Sequence, residues 1–155
     1  MPFLELPVKE NVRTGLLFGN TNRENPYLLK KTEDIVSFCD LAPRADILAA
    51  NLTVVERKRL EIARLLACGP EIALFDEPLQ GLNPKEWKQA AALIGRIRKE
   101  LRVTILLVEH NVKALAAICD RIIVLNYGIK IAEGTFMEVS NNPEVIEAYL
   151  GEEAG

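Results

Sequence analysis

The chain has 155 residues and a formal net charge of −3, with 49% hydrophobic and 26% charged residues. This length corresponds to about one domain, and the composition is that of a globular protein, which excludes a largely disordered chain. A nucleic-acid-binding domain needs a basic face. The charge balance does not supply one, so we expect no nucleic-acid partner.

The sequence shows neither a basic-then-apolar leader at its N-terminus nor an apolar run that approaches the ~20 residues of a membrane span. Its three cysteines, Cys39, Cys68 and Cys119, are far apart and lie among apolar residues. They predict small buried thiols in a reducing compartment. We therefore expect a cytoplasmic protein, and docking onto a membrane protein is compatible with this.

The first part of the chain predicts loop and then helix. Prolines, glycines and asparagines punctuate residues 1–31, which are therefore expected to be loop-rich. A helix is predicted over residues 31–41 (KTEDIVSFCDL), with Thr32 as its N-cap and acidic residues in its first turn. Pro43 is expected to end it.

The strongest helix prediction covers residues 52–70 (LTVVERKRLEIARLLACGP). Thr53 and Glu56 fit a capping box, apolar residues follow at helical spacing, and Gly69-Pro70 stops the helix. The basic cluster at residues 57–59 is balanced by neighbouring glutamates and predicts a solvated helix face.

Beyond Pro70 the pattern alternates between strands and helices. Short continuous apolar runs such as residues 71–75 (EIALF) predict strands buried on both faces. The β-α-β-α-β-β order predicts an α/β fold with a mostly parallel sheet flanked by helices. The predicted elements are a strand at 71–75, a helix from Asn83-Pro84, a strand at 103–108, a helix at 111–119, a hairpin at 121–134 and a helix at 142–149.

Reactive side chains follow two of the predicted strands. Asp76 and Glu77 come after the first, and Glu109 and His110 after the second. In open α/β sheets, ligands bind outside the carboxyl ends of the strands. There an aspartate can reach Mg²⁺, usually through water, Glu77 can accept a proton from an attacking water, and His110 can hydrogen-bond a terminal phosphate. Taken singly, an Asp-Glu pair after a strand more often marks a turn, and a histidine at a strand end is more often simply hydrogen-bonded.

The stretches ALFDEP, GLNP and LLVEH, at residues 73–78, 81–84 and 106–110, resemble the Walker B, D-loop and switch-histidine motifs of ATP-binding-cassette ATPases. The finer resemblance is to the ATPase subunits of branched-chain amino-acid importers. Residues 3–12, 111–135 and 141–151 are similar to segments of that group, so the resemblance covers nearly all of the chain.

The resemblance implies part of a P-loop NTPase core with a mostly parallel sheet, plus a small helical subdomain. Residues 1–69 would form the helical subdomain with a signature-type helix, and residues 70–155 the C-terminal half of the catalytic core. ATP and Mg²⁺ would be the cofactors. A second ATPase subunit and a membrane permease subunit would be the partners, at the inner face of the cell membrane.

The resemblance also implies a role for each matching residue. Asp76 would be the Mg²⁺-associated aspartate, Glu77 the catalytic glutamate and His110 the contact to the γ-phosphate. The remaining matches are to nucleotide-associated and subunit-contact positions: Thr53 in the signature stretch, and Gly81, Leu82 and Asn83 in the D-loop. Asn83 also fits a simple helix N-cap.

Two departures from the family pattern bear on function. No stretch of the sequence fits G-x-x-x-x-G-K-[ST], the loop that cradles the phosphates. In the place of the signature Leu-Ser-Gly-Gly-Gln stands Leu52-Thr53-Val54-Val55-Glu56. Valine crowds a phosphate where glycine lets it approach, and Glu56 adds a negative charge. We therefore expect a chain that lacks the Walker A half and binds no cofactor alone.

Three functions remain open at this point. The chain is a truncated importer ATPase subunit, or a non-catalytic module that pairs with an intact ATPase or permease through residues 1–50. The third is a metal-dependent hydrolase that uses Asp76, Glu77 and His110 without a P-loop. An incomplete core would uncover sheet edges and apolar faces, which predicts a dimer or strand exchange.

Overall fold

The computed structural model of the protein describes residues 2–19 and 26–150. The chain divides into two compact units, Met1–Glu109 and His110–Gly155. The boundary between a helical subdomain and a catalytic core at residues 69 and 70 stays a prediction. No helix in the described part of the chain is long and apolar enough to cross a membrane.

The first unit consists of helices and one parallel pair of strands. β1 and β2 pair in parallel, with Ile72 opposite Thr104 and Asp76 opposite Val108. Its elements are α1 (Val8–Phe18), α2 (Thr32–Phe38), short 3-10 helices at Ala42–Arg44 and Ala49–Asn51, α3 (Val54–Ala67), β1 (Ile72–Asp76), α4 (Pro84–Leu101) and β2 (Thr104–Val108).

Helix α1 occupies a stretch that the sequence predicted to be loop, so that prediction is wrong. Pro7 stands at the N-cap of the helix, where its missing N–H costs nothing. Gly15 lies at the contact with α3, because an added Cβ there would come within 2.7 Å of the Ala67 Cβ. Gly19 caps the C-terminal end. Pro7, Gly15 and Gly19, which predicted a loop, thus mark the start of a packed helix, a close contact with α3 and the end of the helix.

Asn11 of α1 is a fully buried polar side chain. Its Oδ1 accepts the N–H of Phe3 at 2.7 Å, and its Nδ2 donates to the carbonyl oxygens of Phe3, Leu6 and Pro7 at 2.9, 3.1 and 3.2 Å. One side chain therefore forms hydrogen bonds to four backbone groups of the segment that precedes the helix.

Helix α2 begins and ends differently from the prediction. Lys31, not Thr32, is the N-cap, and no side chain caps the helix there. The helix ends at Phe38 because Asp40 adopts a left-handed backbone (φ 55°). Leu41 then donates its N–H to the Val36 carbonyl oxygen at 2.9 Å, which closes a Schellman-type end before Pro43 is reached.

The paired strands β1 and β2 are buried on one face only, so the prediction of burial on both faces is wrong. Ala73 and Phe75 face the core. The other face is exposed and mainly aliphatic, which agrees with the expected uncovered apolar face. Its large apolar side chains are Ile72, Leu74, Leu106 and Val108.

The second unit is built on a β-hairpin. Tyr127 and Gly128, both with positive φ (46° and 80°), form its two-residue turn, which confirms the predicted hairpin. Thr135 and Glu138 form a capping box for a short helix that the sequence did not predict. The elements are α5 (Val112–Ile118), β3 (Ile122–Asn126), β4 (Ile129–Gly134), α6 (Phe136–Ser140) and α7 (Pro143–Leu150).

The α/β class with a small parallel sheet is confirmed. Hydrogen bonds group the described strands into one parallel and one antiparallel pair rather than into one mostly parallel sheet. The parallel pair β1 and β2 lies in the first unit, and the antiparallel pair β3 and β4 lies in the second.

The cysteines differ in burial, so the prediction of three buried thiols is wrong. Cys39 is fully buried, Cys119 is half-buried and Cys68 is exposed. Burial raises the pKa of the Cys39 thiol to about 12. Because the thiolate is the reactive form, the native chain should hold thiols of very unequal reactivity.

A thiol-specific reagent should therefore label Cys68 rapidly and Cys39 only when the first unit unfolds. The measurement is the time course of labelling in native buffer and in denaturant, with the labelled cysteines identified by peptide mass spectrometry. The Cys68→Ser variant is the control and should lose the fast reaction. Rapid labelling of Cys39 in the native chain would contradict the burial described above.

Candidate functional site

The candidate site begins at the turn that follows β1. Asp76 ends the strand, and Glu77 adopts a left-handed backbone with φ 45°. The Glu77 N–H donates to the Val108 carbonyl oxygen at 2.9 Å, and the Glu77 carbonyl oxygen accepts the N–H of Gln80 at 3.2 Å. A left-handed non-glycine residue costs about 1 kcal/mol. The surrounding hydrogen bonds therefore hold Glu77 in a backbone conformation that a non-glycine residue does not favour.

Two side chains from other elements bind the same turn. Lys58 of α3 donates from Nζ to the Pro78 carbonyl oxygen at 2.9 Å. Glu109, directly after β2, accepts the N–H of Leu79 on Oε1 at 2.9 Å. The sequence placed Glu109 at this strand end, but it assigned Lys58 to a solvated face.

The interpretation of residues 57–59 as a solvated helix face is wrong for a physical reason. Helix α3 passes beside the turn and beside α4, so Lys58 and Arg59 find partners there. The Arg59 side chain is only 19% exposed and lies 3.7 Å from Asp40. It also donates to Gln89 Oε1 at 3.1 Å. A local pattern of charges does not show which neighbour a helix face will meet.

A cavity of about 380 Å³ lies between α3, β1 and α4 of the first unit. Asp76, Glu77 and Leu82 line it together with Lys58. This volume is within the range of small-molecule sites. Three of the residues singled out from sequence are therefore brought to one cavity, and Lys58 joins them.

Asp76 offers an exposed carboxylate to this cavity. In the described part of the chain, no three histidine, cysteine, aspartate or glutamate side chains are grouped closely enough to hold a metal ion. Mg²⁺ commonly takes one or two carboxylates and completes its shell with water and substrate phosphates. Asp76 therefore fits a shared Mg²⁺ site and does not by itself form a complete one.

The residues of the GLNP stretch serve mainly the start of α4. Gly81 has φ 76° and is exposed, which is a backbone that favours glycine. Asn83 Oδ1 accepts the N–H groups of Lys85 and Glu86 at 3.0 and 3.1 Å. The Asn83 side chain is thus engaged as an N-cap, as the sequence predicted, and it is not among the residues that line the cavity.

Thr53 is engaged in the same way at the start of α3. Its hydroxyl oxygen accepts the Glu56 N–H at 3.3 Å, and its own N–H donates to Glu56 Oε2 at 2.9 Å. Arg44 Nε donates to Glu56 Oε1 at 2.7 Å. The Thr53 N–H and then Arg44 lower the pKa of the Glu56 carboxyl below its ordinary value of 4.5. The capping box is confirmed, and a negative charge stands at the beginning of this helix.

The depressed pKa of Glu56 makes a pH-dependent prediction. A carboxyl whose folded-state pKa is lowered stabilises the fold above its unfolded-state pKa, and this is lost as pH falls through the folded-state value. Below pH 4.5 the contribution should therefore fade. The difference in urea unfolding between wild type and Glu56→Gln should be larger at about pH 6 than at about pH 3. An equal difference at both pH values would contradict the assignment.

His110 is exposed and is the first residue of the second unit. Asn111, its neighbour, caps α5 by accepting the Ala114 N–H on Oδ1 at 3.2 Å. The predicted site residues are thus divided between the units. Asp76, Glu77 and Leu82 share the cavity, Thr53, Gly81 and Asn83 lie elsewhere in the first unit, and His110 belongs to the second.

Comparisons with known proteins give a consistent result. A sequence family described as "Branched-chain amino acid ATP-binding cassette transporter" matches residues 130–155. The chain is 40% identical to the high-affinity branched-chain amino acid transport ATP-binding protein LivG of Escherichia coli (strain K12), over 97% of this chain and 64% of LivG. It is 45% identical to BraF of Pseudomonas aeruginosa, over 87% of this chain and 52% of BraF.

The solved structures agree with the sequences. The ADP conformation of MJ1267, an ATP-binding cassette of an ABC transporter, is similar with a TM-score of 0.77 and 25% sequence identity. That similarity covers 95% of this chain and 63% of MJ1267. This chain therefore spans less than two thirds of the length of these relatives. The chain belongs to the ATP-binding-cassette ATPase family, in its branched-chain amino-acid transporter group, and corresponds to the C-terminal portion of its members.

Proposed function

We propose that the chain is part of an ATP-binding subunit related to branched-chain amino-acid import. The observation that carries the proposal is the cavity at the end of β1, which Asp76 and Glu77 line together. Asp76 would approach Mg²⁺, Glu77 would accept a proton from the attacking water, and His110 would contact the γ-phosphate. ATP would supply the phosphoryl group, and Mg²⁺ would supply the positive charge that neutralises the phosphate oxygens.

The remaining site residues support a contact with a second subunit. Thr53 stands at the N-terminus of α3, and Gly81, Leu82 and Asn83 form the approach to α4, in which Gly81 and Asn83 are exposed. In this proposal the two helix starts face a second ATPase subunit or a second copy of this chain. The complex sits with a permease subunit at the cytoplasmic face of the membrane.

The chain by itself is proposed not to bind or hydrolyse ATP. The sequence contains no P-loop, whose backbone N–H groups and lysine hold the phosphates. At the start of α3, Val54 is 62% exposed where the family has glycine. The Glu56 carboxylate, with its lowered pKa, lies in the first turn of the same helix. Both features oppose a phosphate at this helix terminus.

A second candidate function is a non-catalytic module that pairs with an intact ATPase or with a permease. The exposed aliphatic face of β1 and β2 favours it, since large apolar patches mark interaction surfaces. Its members Ile72, Leu74, Leu106 and Val108 are each more than half exposed. Light scattering of the purified chain tests self-association. A monodisperse monomer at high concentration would count against a dimer or strand exchange.

Titration calorimetry with Mg²⁺–ATP, beside a non-hydrolysable analogue, tests the central proposal. No detectable heat of binding is expected for the chain alone. Micromolar binding, about −8 kcal/mol, would overturn the claim and would require a phosphate site formed without the usual loop. Phosphate release that Glu77→Gln abolishes would instead favour the P-loop-independent hydrolase that uses Asp76, Glu77 and His110.

A further inference from the structure

The turn that carries Glu77 is held from two sides. On one side Lys58 of α3 binds the Pro78 carbonyl oxygen, and on the other Glu109 at the end of β2 binds the Leu79 N–H, both at 2.9 Å. The two bonds fall on consecutive residues, directly after the left-handed residue Glu77. Both bonds therefore restrain the short segment that sets the position of the Glu77 carboxylate.

The turn also has backbone hydrogen bonds: the Glu77 N–H donates to the Val108 carbonyl oxygen, the Gln80 N–H to the Glu77 carbonyl oxygen and the Leu82 N–H to the Leu79 carbonyl oxygen. The Cβ position of Gly81 meets no heavy atom within 4 Å, and Gly81 is exposed. Leu79, in contrast, is buried with 5% exposure, and its N–H reaches the Glu109 carboxylate. A charged acceptor or donor makes a stronger bond than a neutral one. Lys58 and Glu109 are thus the side chains best suited to offset the cost of the left-handed backbone at Glu77.

We propose that Lys58 and Glu109 are positioning residues, which hold the turn after β1 so that Glu77 keeps its left-handed backbone at the cavity. This inference rests on the proposed role of Glu77 as the catalytic glutamate. It also implies that α3 affects the position of Glu77 through Lys58. Lys58 lies on the same rigid helix that Thr53 caps, so a displacement of the α3 start is carried to the Pro78 carbonyl.

The test uses pairs of variants that differ in a single hydrogen-bonding group. Lys58→Met and Glu109→Met keep the length of the side chain and remove the donor or the acceptor. Lys58→Arg keeps a donor, and Glu109→Gln keeps the Oε1 acceptor. Lys85→Met, at an exposed lysine of α4, is the matched control for the loss of a lysine charge.

Two measurements report on the turn without any nucleotide. The first is the exchange rate of the Leu79 amide hydrogen, and the second is the coupling between the amide and Cα protons of Glu77, which reports its φ. Glu109→Met should speed Leu79 exchange about tenfold. Both methionine variants should change the Glu77 coupling. Lys58→Arg, Glu109→Gln and Lys85→Met should stay close to wild type.

Amide exchange in the middle of α3 distinguishes a local effect from a loss of fold, because it should be unchanged when only the turn is released. Unchanged Leu79 exchange and Glu77 coupling in both methionine variants would overturn the positioning role. So would an equal change in the conservative variants. Calorimetry and phosphate release test the proposed function independently of these measurements. Failure of the positioning role can therefore be distinguished from failure of the proposed function.

Discussion

Replacing Asn11 by alanine is expected to lower the free energy of unfolding of the first unit by about 3 kcal/mol, since it removes all the hydrogen bonds that this buried side chain makes to backbone groups. The wild-type side chain joins four such groups, and it is 0% exposed. Alanine also adds a cavity at the contact between α1 and the segment before it. The measurement is urea unfolding followed by circular dichroism.

The control for this prediction is Asn51→Ala, the same substitution at an exposed position of the same unit. Exposed substitutions of this kind change stability by about 0.5 kcal/mol or less. Equal losses in the two variants would show that the buried network of Asn11 does not stabilise α1. A lower urea slope in the Asn11 variant would indicate that the N-terminal segment detaches before the rest unfolds.

Gly15→Ala should destabilise the first unit by about 2 kcal/mol, although alanine is the better helix former, because the close contact between α1 and α3 leaves no room. The new Cβ would lie 2.7 Å from the Ala67 Cβ and 2.9 Å from the Arg64 carbonyl oxygen. Both neighbouring atoms belong to α3, so either α1 or α3 has to move. The same unfolding measurement gives the magnitude.

Gly95→Ala is the matched control and should have the opposite sign. Gly95 lies within α4, and a Cβ built there meets nothing within 4 Å. Helix propensity alone should then stabilise the unit by about 0.5 to 1 kcal/mol. A stabilising Gly15→Ala would mean that α1 and α3 do not approach as closely as described.

The sequence predicted the parts of the fold that local signals decide. The capping box predicted at Thr53 and the N-cap predicted at Asn83 placed the starts of α3 and α4 correctly, because the capping side chains bond to residues within the next turn. The hairpin at Tyr127 and Gly128 followed from turn chemistry in the same way. These features depend on neighbours along the chain, so a single sequence contains the information.

Features that depend on distant residues were missed. Gly15 predicts a break in a helix unless α3 is known to lie against it. Lys58 looks like a solvated residue unless the Pro78 carbonyl is known to lie beside it. For the site, the adjacency of Asp76 and Glu77 was visible in sequence. The two side chains that hold their turn were not recognised as a pair, since they come from elements 51 positions apart in the chain.

Because β1 and β2 are buried on one face only, the isolated chain is expected to be recognised by protein quality control in the cell. Chaperones exist because folding intermediates expose apolar surface and unpaired strand edges. The face formed by Ile72, Leu74, Leu106 and Val108 presents such a surface after the first unit has folded. We expect chaperones to bind the isolated chain as they bind a folding intermediate. Its abundance in the cell should then depend on the amount of the partner that covers this face.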